Sequence, residues 1–128
     1  DRATAELPID PAQVWLAGLS NGGLGVSRAA ALAPERFRGL VYLSAVPEEG
    51  VLRSQAYLDG WRGRPVLFLH GDQDNRVPLW AIDDAVLKLS AAGVDVTKRV
   101  RVGEDHFLFL ASLDGMLADI EAWMRGLE

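Results

Sequence analysis

The stretch VWLAGLSNGGLG, Val14 to Gly25, sets a serine between two glycines, just after an apolar run and just before a segment with helical character. Whether Ser20 is a nucleophile or only a small residue in a tight turn decides how the rest of the chain is read. Gly18, Ser20 and Gly22 make a G-x-S-x-G match, which gains meaning from its strand-turn-helix setting. A sharp turn that strains the serine backbone needs neighbours without side chains, so that the hydroxyl projects above the sheet while strand and helix pack closely beneath it. Gly22 and Gly23 are expected to serve that purpose. The competing reading is a glycine-rich turn with a capping serine. A phosphate loop fits less well, because the G-x-G-x-x-G spacing and the later acidic residue of a dinucleotide site are missing.

Outward from this stretch, short apolar runs alternate with helical patterns, as expected for strands buried on both faces. QVWLAG, GLVYLS, PVLFLHG and TKRVRV read as strands, the last polar enough to be an edge. Helices are expected over GGLGVSRAAALA, over LWAIDDAVLKLSAA with Ile82, Ala85, Val86 and Leu89 on one face and Gly93 as a stop, and over LFLASLDGMLADIEAWMRG with Leu110, Leu113, Leu117, Ile120 and Met124. The pattern predicts an α/β fold, a mainly parallel sheet with flanking helices. Pro47 to Arg64 reads as the one long irregular connection, and TAELPIDPAQ as the tail of a helix broken at Pro8.

The 128 residues, 49% of them hydrophobic, suit one core, so residues 1–128 are read as a single domain. The formal charge of −5 and the scattering of Lys and Arg argue against nucleic acid or an anionic membrane as partner. With no cysteine and only His70 and His106, neither a disulfide framework nor a metal site is expected, and no cofactor is called for. No apolar run approaches the roughly 18 residues of a spanning helix, the charged opening DRATAELPID is not a signal sequence, and the expected location is cytoplasmic.

A serine hydroxyl is a weak nucleophile near neutral pH, so Ser20 needs a base and the base an orienting acid. His70 ends a strand and precedes Gly71, a position that suits a structural histidine bonded to nearby backbone. His106 lies in GEDHF, between the last strand and the last helix, at the carboxyl edge of the sheet where loops gather functional groups. Asp72, Asp74, Glu104 and Asp105 are all acid candidates at that edge. Asp72 is placed to bond its own turn, Asp74 reaches further into the loop, and Asp105 would have to turn back on its neighbour.

Taken together these residues resemble the C-terminal half of an α/β-hydrolase, and the resemblance covers nearly the whole chain. GLSNGG is similar to the nucleophile elbow, PVLFLHGDQDNRVP to the strand and loop that carry the acid, and AAGVDVTKRVRVGEDHF to the final strand leading to the histidine. The order Ser20, Asp74, His106 is the order of that family's triad. By this pattern the acid is Asp74 and not Asp72. The layout resembles compact esterases of the acyl-protein thioesterase, carboxylesterase and dienelactone hydrolase branches, and the catalytic domain of prolyl oligopeptidases. The 20 residues between Ser44 and Pro65 are too few for a large helical lid. The family's earlier strands, with the loop that donates a second oxyanion amide, are expected upstream of Asp1 or from a partner chain.

The resemblance implies a serine hydrolase acting on a small-molecule ester or thioester through an acyl-enzyme, with the Asn21 backbone N–H in the oxyanion hole. The alternatives are a serine peptidase of prolyl-oligopeptidase type, an acyltransferase, and a noncatalytic α/β-hydrolase-like module that binds a small molecule or a protein. Trp80 and Phe107 stand near the expected mouth, although packing roles suit them as well. Tyr57 and Trp61 are candidates for a rim, and Arg76 reads as a solvated loop arginine.

Overall fold

The computed structural model describes residues 2–128. Four strands, β1 (Trp15–Leu19), β2 (Gly39–Leu43), β3 (Pro65–Gly71) and β4 (Asp95–Arg101), form one sheet in the order β1-β2-β3-β4. Every pairing is parallel, with Leu19 opposite Leu43, Leu43 opposite Leu69 and Gly71 opposite Arg101. The carboxyl ends of all four strands, and the loops that follow them, therefore lie along one edge. β2 is buried along its whole length and β3 from Val66 onward, which is why both read as unbroken apolar runs. The two outer strands differ from them. β4 exposes Asp95, Lys98, Arg99 and Val100, in keeping with its polar sequence, and β1 exposes Ala17 and Leu19.

Side chains of alternate parity feed two cores. On one face Leu40, Tyr42, Val66 and Phe68 meet α2 (Gly22–Leu32), α3 (Glu49–Leu52), α4 (Gln55–Trp61) and α5 (Leu79–Ala91). On the other, Val41, Leu43, Leu67 and Leu69 meet α6 (Leu108–Ala111) and α7 (Leu113–Gly126). A short N-terminal helix, Arg2–Glu6, ends ahead of Pro8, and a 3₁₀ turn over Pro11–Gln13 is capped by the Asp10 carboxylate, which accepts from Ala12 N–H at 2.9 Å.

α5 follows its sequence pattern. Ile82, Ala85 and Leu89 are buried, and Gly93, at φ +86°, takes the left-handed conformation that stops the helix.

Two segments depart from expectation. The connection from Pro47 to Arg64 is not irregular: it holds α3 and α4, and Tyr57 and Trp61 are fully buried in the core and form no rim. Trp61 Nε1–H donates to Ala30 O at 3.0 Å, and the Tyr42 and Tyr57 hydroxyls lie 3.0 Å apart. Burial pushes both tyrosine pKa values upward, so both hydroxyls stay protonated. The C-terminal segment is two helices and not one, broken at Ser112, whose backbone leaves the helical region at φ −136°, ψ 40°. α7 buries Met116 and Trp123 with Ile120 partly covered, while Leu110, Leu113 and Leu117 are exposed. Both sets have helical spacing, and the sheet selects the one whose large aromatic packs edge-on to Trp15, with ring centroids 5.3 Å apart.

Candidate active site

β1 ends at Leu19 and α2 begins at Gly22, leaving two residues to reverse direction. Ser20 takes φ 53°, in the left-handed region that costs a residue with a side chain, and its N–H donates to Leu43 O at 2.9 Å. The close approach beneath it explains Gly18: a Cβ there would lie 2.5 Å from Gly22 O and 2.6 Å from Val26 Cγ2. A Cβ on Gly23 would lie 2.8 Å from Val46 O. Gly22 is different from what the motif suggests, since a Cβ on it would meet nothing within 4 Å among the described residues. Its carbonyl, rather than its missing side chain, forms the contact with Gly18.

The turn aims the Ser20 hydroxyl at the loop after β4. Ser20 Oγ–H donates to His106 Nε2 at 2.8 Å, and His106 Nδ1–H donates to Asp74 Oδ2 at 2.8 Å. His106 and Asp74 are buried, whereas Ser20 is half-buried. Burial raises the Asp74 pKa, but hydrogen bonds from Val77 N–H, His106 and Arg76 N–H outweigh it and hold the carboxyl below its usual value. The two amides bind Oδ1, at 2.8 Å and 2.9 Å, which leaves Oδ2 to the imidazole.

Neighbouring acids do other work. Asp72 Oδ1 accepts from Gly103 N–H at 2.8 Å and Gln73 N–H donates to Glu104 O at 2.9 Å, so these contacts clamp the acid and histidine loops together. Asp105 caps Phe107 N–H at 2.8 Å, and Glu104 accepts from the Ser112 hydroxyl. His70 is fully buried, and its Nε2–H donates to Val77 O at 2.6 Å. Sequence reasoning missed that this ring also stands 3.4 Å from Asp74 Oδ2, although its spacing of four residues from Asp74 was visible.

The Asn21 N–H, where α2 begins, has no acceptor among the described residues. Phe107 lies edge-on to His106, ring centroids 5.5 Å apart, and carries the Arg76 guanidinium 4.8 Å from its own centroid. Trp80 is 71% exposed and lines a cavity of about 380 Å³ with Val46, Pro47 and Leu52. A larger cavity of about 630 Å³ lies beside Val14 and Phe37, at the amino edge of the sheet and away from Ser20.

Comparison with known proteins agrees with this architecture. No family model matches the chain. An alignment 116 positions long, which covers 87% of the chain, makes it 30% identical to a poly(3-hydroxyoctanoate) depolymerase of Pseudomonas fluorescens. The structure of a SOBER1 variant from Arabidopsis thaliana superposes on the entire chain with a TM-score of 0.77 and 29% identity. The chain has the fold of the α/β hydrolases. The structure of esterase PE8 covers 94% of it with a TM-score of 0.71 and 24% identity, and that of MGS-MChE2, an α/β hydrolase enzyme from a lagoon-sediment metagenome in Morocco, covers 91% with a TM-score of 0.69 and 14% identity, both likenesses of fold. The chain spans 41% of the depolymerase, 59% of the SOBER1 structure and 55% of esterase PE8, consistent with the C-terminal half of the α/β-hydrolase fold. No helix among the described residues is long and apolar enough to cross a membrane.

Proposed function

We propose that this chain carries the catalytic half of a serine hydrolase that cleaves a carboxylic ester or thioester. What carries the reading is one unbroken line of hydrogen bonds, Ser20 Oγ to His106 Nε2 and His106 Nδ1 to Asp74 Oδ2, each 2.8 Å, ending on a serine in a left-handed turn. In this mechanism Ser20 Oγ attacks the substrate carbonyl as His106 Nε2 takes its proton. Asp74 holds the imidazole tautomer and stabilises the imidazolium. The tetrahedral intermediate collapses to an acyl-Ser20 ester, and His106 gives the proton to the leaving alcohol or thiol. Water then attacks the ester with His106 again as base, which releases the acid and restores the serine.

The oxyanion takes the Asn21 N–H as one donor, helped by the start of α2. Losing one such donor raises the barrier by about 2.7 to 4 kcal/mol. The names of two relatives, an esterase and a depolymerase, support hydrolysis. Turnover of p-nitrophenyl esters, acyl thioesters and peptide anilides, each with and without an added alcohol acceptor, tests the proposal. Hydrolysis of the first two and not the third is expected. Cleavage confined to the anilides would make it a peptidase, ester product formed only with the acceptor a transferase, and no turnover of any a noncatalytic module.

A further inference from the structure

Beneath the Ser20, His106 and Asp74 line lies a second histidine. Asp74 reaches His106 from a turn held by its own amides on Oδ1, and this turn must itself be fixed to the sheet. Val77 is the link: its N–H binds Asp74 Oδ1 at 2.8 Å, and its carbonyl accepts from His70 Nε2–H at 2.6 Å. His70 belongs to β3, the rigid centre of the sheet, and is fully buried.

With Nε2 committed as a donor, Nδ1 is left buried and has no partner among the described residues. One other buried side-chain atom among the described residues shares that condition, the Ser44 hydroxyl. The two atoms are not bonded to each other, although Ser44 and His70 each follow the registered pair Leu43 and Leu69 and Ser44 N–H donates to Leu69 O at 3.1 Å. The orientation of the His70 ring is set by the donation from Nε2–H to Val77 O.

We propose that His70 is a positioning residue that pins the Asp74 to Val77 turn so that the Asp74 carboxylate faces His106. The inference rests on the triad reading above for its effect on turnover. Asp74 faces the ring directly, 3.4 Å away, and His106 faces it through Asp74. His70 touches no reacting atom.

The test uses the protein that carries this chain, with two readouts: the downfield proton resonance of His106 Nδ1–H, and kcat and KM on a p-nitrophenyl ester. His70→Ala is expected to weaken or shift the resonance and to lower kcat about 10- to 100-fold with KM unchanged, the usual range for losing an outer hydrogen bond around a site. His70→Gln, whose amide places an N–H near the Nε2 position, is expected to restore most of both. A folded His70→Ala with an unaltered resonance and kcat would overturn the proposal, as would a His70→Gln as impaired as His70→Ala. If His70→Ala does not fold, an unchanged resonance and kcat in His70→Phe, which fills the same space without an N–H for Val77 O, overturns it instead. Wild-type protein with no esterase turnover, but with a resonance that responds to His70, would sink the hydrolase reading and leave the positioning role standing.

Discussion

Two serines end parallel strands of this sheet in the left-handed region, Ser20 at φ 53° after β1 and Ser44 at φ 48° after β2. Each N–H is bonded to the neighbouring strand, to Leu43 O and to Leu69 O. Their hydroxyls have opposite surroundings. Ser20 Oγ is half-buried and meets an imidazole, whereas Ser44 Oγ is sealed in the interior with no partner among the described residues. Backbone strain alone therefore does not make a nucleophile. The difference lies in what each serine faces: Ser20 meets the loop after β4, and Ser44 lies level with the buried end of β3.

The largest expected effect separates the two serines. Ser20→Ala should lower kcat by about a millionfold, the cost of deleting a triad nucleophile. Ser44→Ala should keep Ser20 reactive and leave kcat close to the wild-type value, because the Ser44 hydroxyl bonds to no residue of the Ser20, His106 and Asp74 line. Equal losses in both would erase the distinction.

Asp74→Asn should come next, lowering kcat about 10⁴-fold by stabilising the wrong imidazole tautomer. It also carries a pH signature. Because the folded-state pKa of Asp74 is depressed, its contribution to stability is present above its unfolded value of about 3.9 and is lost as the pH falls through the folded one. The stability margin of wild type over Asp74→Asn, followed by urea denaturation, should thus shrink below about pH 4. A margin independent of pH would mean that the carboxylate is not held ionised by its three donors.

The glycines sharpen the comparison at the level of the turn. Gly18→Ala should destabilise the protein by about 3 kcal/mol, because its Cβ overlaps Gly22 O and Val26. Gly22→Ala, with open space around its Cβ, should change stability by less than about 1 kcal/mol. Smallest of all, Asn21→Ala should leave most of the activity, since the main-chain N–H is the group assigned to the oxyanion.

Much of this was legible in the sequence, and the exceptions have physical causes. PVLFLHG marked β3 to the residue, because a strand buried on both faces leaves an apolar run bounded by turn formers. The turn at Ser20 was legible for its glycines, although the motif overstated Gly22 and understated Gly23, whose neighbour Val46 is 23 residues away in sequence. α3 and α4 escaped because helices of 4 and 7 residues are too short to show periodicity and depend on tertiary packing of Leu52, Tyr57 and Trp61. In α7 two apolar stripes competed, and only the sheet decides between them. His70 was legible as a backbone-bonded residue. Its proximity to Asp74 was not, because it depends on how the turn folds back over the end of β3.

The central claim is that His106 activates Ser20 and leaves Ser44 inert. Treating the protein with a fluorophosphonate and mapping the adduct by peptide mass tests it most directly. The expected result is a single adduct on the peptide containing Ser20, absent in Ser20→Ala and formed far more slowly in Asp74→Asn. An adduct on Ser44, one that survives in Ser20→Ala, or none at all in folded wild-type protein would contradict it.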